Sequence, residues 1–117
     1  MDTQETKKYS IGVRIWLREE AGHFVGAGRV KLLEQIKLTG SITGASKAME
    51  MSYRQAWQMV EDMNKHSTKP LVEKTLGGTG GGGARITEAG EKVIELFYRL
   101  EQEFNAKAEE LAKEIVF

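Results

Sequence analysis

Between Ile11 and Arg18 apolar and polar residues alternate. Ile11, Val13, Ile15 and Leu17 fall on one face and Arg14, Trp16 and Arg18 on the other, the two-residue period of a half-buried strand. The EEAG at 19–22 predicts a turn and His23-Phe24-Val25 a short return strand, ended by Gly26 and Gly28. From Arg29 to Thr39 the period changes: Val30, Leu33 and Ile36 recur at helical spacing, with Leu32 widening the stripe. Gly40 suits the end of that helix and Ser41 the N-cap of the next, in which Ile42, Ala45, Ala48 and Met49 share a face. After a turn at Glu50-Met51, Ser52 caps a third helix, SYRQAWQMVEDMNKHS, with Ala56, Val60 and Met63 as its buried stripe. Lys69-Pro70 stops it, since the residue before proline is pushed out of the helical region. Leu71–Leu76 and Ala84–Ile86 read as two strands around a glycine run.

Thr87 then caps a long last helix without internal proline. Val93, Phe97, Leu100, Phe104, Ala108, Leu111 and Ile115 follow one another at steps of four or three, with a heptad step from Phe97 to Phe104 to Leu111. The order strand, strand, three helices, strand, strand, long helix contains the parts of a winged helix-turn-helix. The expected class is therefore mainly α with small antiparallel β (α+β). Residues 1–10 are expected to be a flexible tail, 11–86 the winged helix-turn-helix domain with its N-terminal hairpin, and 87–117 a C-terminal dimerisation helix.

Charge and composition narrow the function classes. Net charge is zero, yet residues 1–90 carry 13 Lys and Arg against 10 Asp and Glu, while 91–117 carry 4 against 7. This mild basic excess permits a polyanionic partner without demanding one, and places the acidic part away from it. The absence of cysteine excludes disulfides, thiolate nucleophiles and cysteine-ligated metals. His23 and His66 have no histidine at ligand spacing, so each reads as a surface or turn residue and no metal site is expected. No carboxylate pair or Ser/His arrangement suggests an enzyme. With no bilayer-length apolar run and no signal-peptide pattern, no membrane association is expected and the cytoplasm is the expected location.

In SITGASKAMEMSYRQAWQMVEDMN, a short helix, a bend and a longer helix would leave the first turn of the longer helix free to enter a DNA major groove. Off its apolar stripe lie Tyr53, Arg54, Gln55 and Gln58. Arginine can bond guanine and glutamine can bond adenine, each with two hydrogen bonds. Ser52 suits a phosphate, helped by the free N–H groups of the helix start. Trp57 borders this face and reads first as a packing residue.

These residues, followed by PLVEKTLGGTGGGGARITEAG, resemble the N-terminal DNA-binding domain of the ModE family, bacterial molybdate-responsive transcriptional regulators. They are more distantly similar to LysR-type winged helices. The likeness runs from about Val13 to Phe104. It implies a homodimer formed through the terminal helix and strands, binding a palindromic operator in double-stranded DNA. It also implies recognition-helix contacts at Ser52, Tyr53, Arg54 and Gln55 and a wing at residues 79–83. Glu50 departs from such motifs, which often place glycine at this turn; if the position needs a positive φ, glutamate costs on the order of 1 kcal/mol. Full-length members continue into a C-terminal domain of small β-barrel repeats that binds molybdate. This chain stops at Phe117, so the expected protein lacks that sensor, needs no cofactor, and is linked to molybdate only through the family.

The run LGGTGGGGARIT contains G-x-G-x-x-G, a pattern that glycine runs meet by chance. A dinucleotide site needs a helix starting inside the motif, but residues 84–87 intervene, and no Lys-Ser or Lys-Thr follows Gly83 as a P-loop needs. A wing asks less: Thr79, Gly80, Gly81 and Gly82 would lie against the sugar-phosphate backbone, with Lys74 and Arg85 supplying charge. The expected function is a sequence-specific DNA-binding transcriptional regulator, taken as a repressor, dimerising through Val93, Phe97, Leu100, Phe104 and Leu111. The alternatives are an oxyanion- or small-molecule-binding protein using the glycine loop, and a winged helix used for protein interaction.

Overall fold

A computed structural model describes residues 6–76 and 83–117. Its elements are β1 (Trp16–Glu19), β2 (Gly22–Gly26), α1 (Ala27–Thr39), α2 (Ile42–Ala48), α3 (Tyr53–Lys65), β3 (Val72–Thr75), β4 (Gly83–Ile86) and α4 (Glu88–Ala112). β1 pairs antiparallel with β2, and β3 with β4, as two separate two-stranded sheets. The order matches the expected one. The first strand is shorter than the alternation suggests: it begins at Trp16, and residues 6–15 belong to no helix or strand. From Val13 on the alternation holds, with Val13, Ile15 and Leu17 half-buried and Arg14, Trp16 and Arg18 exposed, whereas Ile11, expected on the inward face, is exposed.

The core lies where the three short helices meet the sheets. Leu32, Leu33 and Ile36 of α1, Ile42 and Ala45 of α2, and Ala56, Val60 and Met63 of α3 are buried together with Val25, Leu71, Val72, Ala84 and Phe97. The buried face of α2 differs from the expected one: Ala48 is exposed and Ser46 is buried. The Ser46 hydroxyl donates to the Thr43 carbonyl at 2.8 Å, which removes the cost of burying it.

Helix ends are set by the residues that flank them. Ser41, Ser52 and Thr87 each accept a hydrogen bond from the backbone N–H three residues on. The turn between α2 and α3 is a Schellman closure: Met51 N–H reaches Ser46 O at 3.0 Å and Glu50 N–H reaches Lys47 O at 3.1 Å. Glu50 stands in the left-handed region, φ 54°, the only described residue other than glycine with a positive φ. Its side chain is exposed and its strain serves no contact, so Glu50→Gly is expected to raise stability by about 0.5–1 kcal/mol. Equilibrium urea unfolding checks this; a lower midpoint would show that the glutamate stabilises the turn.

α3 ends at Lys65, well before Pro70. What stops it is the side chain of Asn64, turned to the neighbouring strand. Its Oδ1 accepts from Leu71 N–H at 2.8 Å and its Nδ2 donates to Val72 O at 3.0 Å. The base of the wing is fixed at a second point, where Ala84 N–H donates to the Gly40 carbonyl at 2.8 Å. A third comes from Thr87, whose hydroxyl donates to Pro70 O at 2.6 Å and whose N–H donates to Leu71 O at 2.9 Å.

α4 is anchored at one end only. Gly90 and Phe97 are buried against the domain, Lys37 of α1 pairs with Glu91 at 2.9 Å, and the Tyr98 hydroxyl donates to Glu34 at 2.5 Å. That carboxylate, with some burial, pushes the Tyr98 phenol up to about 12. Beyond this the helix projects, giving a molecule of 73 × 30 × 20 Å. Along its far end runs the N-terminal segment, with Lys7 to Ile11 beside Glu109, Ala112, Lys113 and Ile115, and the Tyr9 ring edge-on to Phe117 at 5.5 Å. No helix among the described residues is long and apolar enough to cross a membrane.

Candidate nucleic-acid interface

The period of α3 sorts its side chains. With Ala56, Val60 and Met63 buried in the core, Tyr53, Arg54, Gln55 and Gln58 are left exposed, Tyr53 by half. Ser52 Oγ accepts from Gln55 N–H at 3.1 Å, which leaves its hydroxyl proton free to donate to a phosphate. Thus the candidate reading residues stand together on the first two turns, on the side of α3 turned away from α1 and α2. A groove running along Ser52, Arg54, Gln55 and Gln58, but not Tyr53, is also lined by Arg29, Glu61, Asp62 and Lys65.

These four had no helix-turn-helix signature in the sequence, and two of them form an ion pair. Arg29 Nη1 lies 2.6 Å from Asp62 Oδ2 and donates to Phe24 O at 2.9 Å. The guanidinium holds the Asp62 carboxyl below its ordinary value, the hydrogen bond being the largest cause. His66, at the C-cap of α3, sits between two carboxylates, hydrogen-bonded to Glu19 and 3.5 Å from Asp62 Oδ1. The Glu19 carboxyl is likewise held low, first by its bond to the His66 ring and then by the Ala21 backbone. His66 therefore helps join the β1–β2 hairpin to α3, while His23 is exposed. Among the described residues no cluster could hold a metal ion.

On the wing side the expected residues separate. Thr79, Gly80, Gly81 and Gly82 lie outside the described residues. Lys74 is exposed, its Nζ 5.9 Å above the Trp57 ring, and Trp57 itself is half-buried against the core. Arg85 is not a free charge. It faces Glu73 across the β3–β4 pair and its Nη2 bonds that carboxylate at 2.9 Å, a contact that alternation in the two strands could have suggested.

The candidate dimer residues divide in the same way. Phe97 is 1% exposed against its own domain and offers no free surface to a second chain, while Val93 is half-buried and keeps part of its surface open. Leu100 is half-buried, while Phe104 and Leu111 are 55% and 42% exposed on the projecting part of α4. A heptad step is shared by both kinds of packing, so the sequence alone could not tell where one stops.

Three helices, an α3 with an exposed first turn and a hairpin before a long helix define a winged helix-turn-helix of the type found in LysR-type regulators. The full-length LysR-type regulator LysG of Corynebacterium glutamicum, with its effector arginine bound, superposes with a TM-score of 0.51 and 26% identity, over 78% of this chain and 30% of that one. The chain is homologous to the N-terminal region of the ModE transcriptional regulators. It is 46% identical over 74 residues to the transcriptional regulator ModE of Yersinia pestis, covering 63% of this chain and 28% of the relative. It is 32% identical over 102 residues to the molybdenum transport protein ModE of Azotobacter vinelandii, covering 87% and 38%. The chain thus spans roughly a third of the length of these curated relatives. No family model matches it.

Proposed function

We propose that the protein is a sequence-specific DNA-binding transcriptional regulator that binds a palindromic operator as a homodimer and represses by occupying it. The observation that carries this reading is the exposed first turn of α3, where Ser52, Tyr53, Arg54, Gln55 and Gln58 are presented by a helix whose opposite face is fixed in the core. Arg54 and Gln55 carry groups that read base edges, and Ser52 and the helix N-terminus suit the backbone. Its similarity to the transcriptional regulator ModE of Yersinia pestis supports the reading.

The dimer is supported by the exposed Phe104 and Leu111 on a helix that projects from the domain. Two-fold pairing would set two recognition helices about one DNA turn apart, around 34 Å. Lys74 and the wing tip would follow the backbone, and Arg85 would do so only by giving up Glu73.

Selection of bound sequences from a random DNA pool tests binding, symmetry and half-site spacing together. On the selected site, Arg54→Ala is expected to cost about 1–3 kcal/mol and to relax the preference at one base pair of each half-site. Binding that keeps its base preference after this change would remove Arg54 from the reading residues.

A further inference from the structure

The outer face of the β1–β2 hairpin has no role in this picture, yet it is exposed and carries at its edge an arginine without a partner among the described residues. A groove there is lined by Arg14 and Ile15 just before β1, by Trp16 and His23 of the hairpin, by Gly26 to Gly28 at the start of α1, and by Met59 and Arg29, the last already paired with Asp62. Trp16 is half exposed, unusual for so large an apolar side chain on a strand. Arg14 has no ion-pair partner among the described residues. Gly28 leaves open space where a side chain would stand, so a bulky backbone can come close.

The groove is continuous with the α3 face. Arg29 and Met59 line both it and the groove beside Arg54, Gln55 and Gln58. On α3, Met59 and Trp57 lie to either side of Gln58, and Trp57 is the residue under Lys74 of β3. The recognition helix is therefore flanked by two hairpins, the wing on the Trp57 side and β1–β2 on the Met59 side. The Glu19–His66 bond fixes the second hairpin to the end of α3, so it would be carried into place with the helix.

We propose that the β1–β2 hairpin and the residues leading into it form a second backbone-binding arm, in which Arg14, two residues before β1, pairs with a phosphate and Trp16 packs on the adjoining sugar of duplex DNA flanking the bases read by α3. This rests on the DNA-binding reading above and extends it to a surface outside the helix-turn-helix and the wing. Such an arm adds affinity and salt dependence without adding base preference.

The test uses the full chain on a DNA duplex chosen from the random pool, with binding measured across salt concentrations and backbone protection read by hydroxyl-radical footprinting. Arg14→Gln is expected to weaken binding about tenfold at low salt and to lower the salt slope by about one per protomer. Protection outside the half-site should shrink while base preference stays the same, and Arg14→Lys should restore most of the affinity. Trp16→Ala should weaken binding with the salt slope unchanged, because it removes packing and no charge. Wild-type affinity, slope and flanking protection in Arg14→Gln would overturn the arm and leave the α3 reading standing. No DNA binding by the unaltered chain at low salt would overturn both.

Discussion

Gly90→Ala is expected to cost the fold about 3 kcal/mol, the upper part of the range for overpacking a tight site. A Cβ at Gly90 would stand 2.5 Å from the Leu71 carbonyl oxygen and 2.6 Å from Cγ2 of Ile86. Neither neighbour can yield easily. The Leu71 carbonyl accepts from Thr87 N–H, the Leu71 N–H is held by Asn64, and Ile86 belongs to the paired strand β4. α4 would have to lift from the wing, loosening Phe97 and the Lys37–Glu91 pair with it. Against a domain stability of about 5–15 kcal/mol the loss is large enough to read directly in urea unfolding followed by helical circular dichroism. Gly28→Ala, at an open helical position, serves as the control and should not lower the midpoint. An unchanged midpoint in Gly90→Ala would mean that α4 does not approach the strand so closely.

The second large effect is expected from the projecting end of α4. Phe104→Glu combined with Leu111→Glu places two charges on the apolar seam while leaving the winged-helix core untouched, since both side chains already face outward. Sedimentation equilibrium should show the unaltered chain at twice the monomer mass and the double variant as a monomer of 13.1 kDa. Binding to a two-fold site should fall by about 10²- to 10⁴-fold, the gain that joining two half-site contacts supplies. Circular dichroism should show the helices retained. A double variant that stays dimeric would move the interface elsewhere, to Leu100 or the N-terminal segment.

Where a helix carries a single apolar stripe, periodicity alone placed it: α1 through Val30, Leu33 and Ile36, and α3 through Ala56, Val60 and Met63. The capping residues Ser41, Ser52 and Thr87 were legible for the same reason, because a local hydrogen bond depends on local sequence. Features set by distant partners were not. Asn64 looks like any polar residue near a helix end, and only the strand seven residues on gives it its role. Arg29 and Asp62 stand 33 residues apart, so nothing along the chain announces their pair. For the candidate site, the exposed set on α3 was readable from its period, whereas the pairing of Arg85 with Glu73 and the division of the α4 seam at Phe97 depend on tertiary packing. The strain at Glu50 lies between these cases. The turn required it, and the residue type showed only that it would be costly.

The bond from Ala84 N–H to the Gly40 carbonyl joins segments 44 residues apart in the chain. That amide proton can exchange with solvent only when β4 and the end of α1 separate. Asn64 ties the other strand of the hairpin, at Leu71 and Val72, to the end of α3. The base of the wing and the ends of both helices are therefore expected to open as a single cooperative unit. Protection in this region would rise and fall together, so whatever steadies the hairpin also slows the loosening of the helix that carries Arg54.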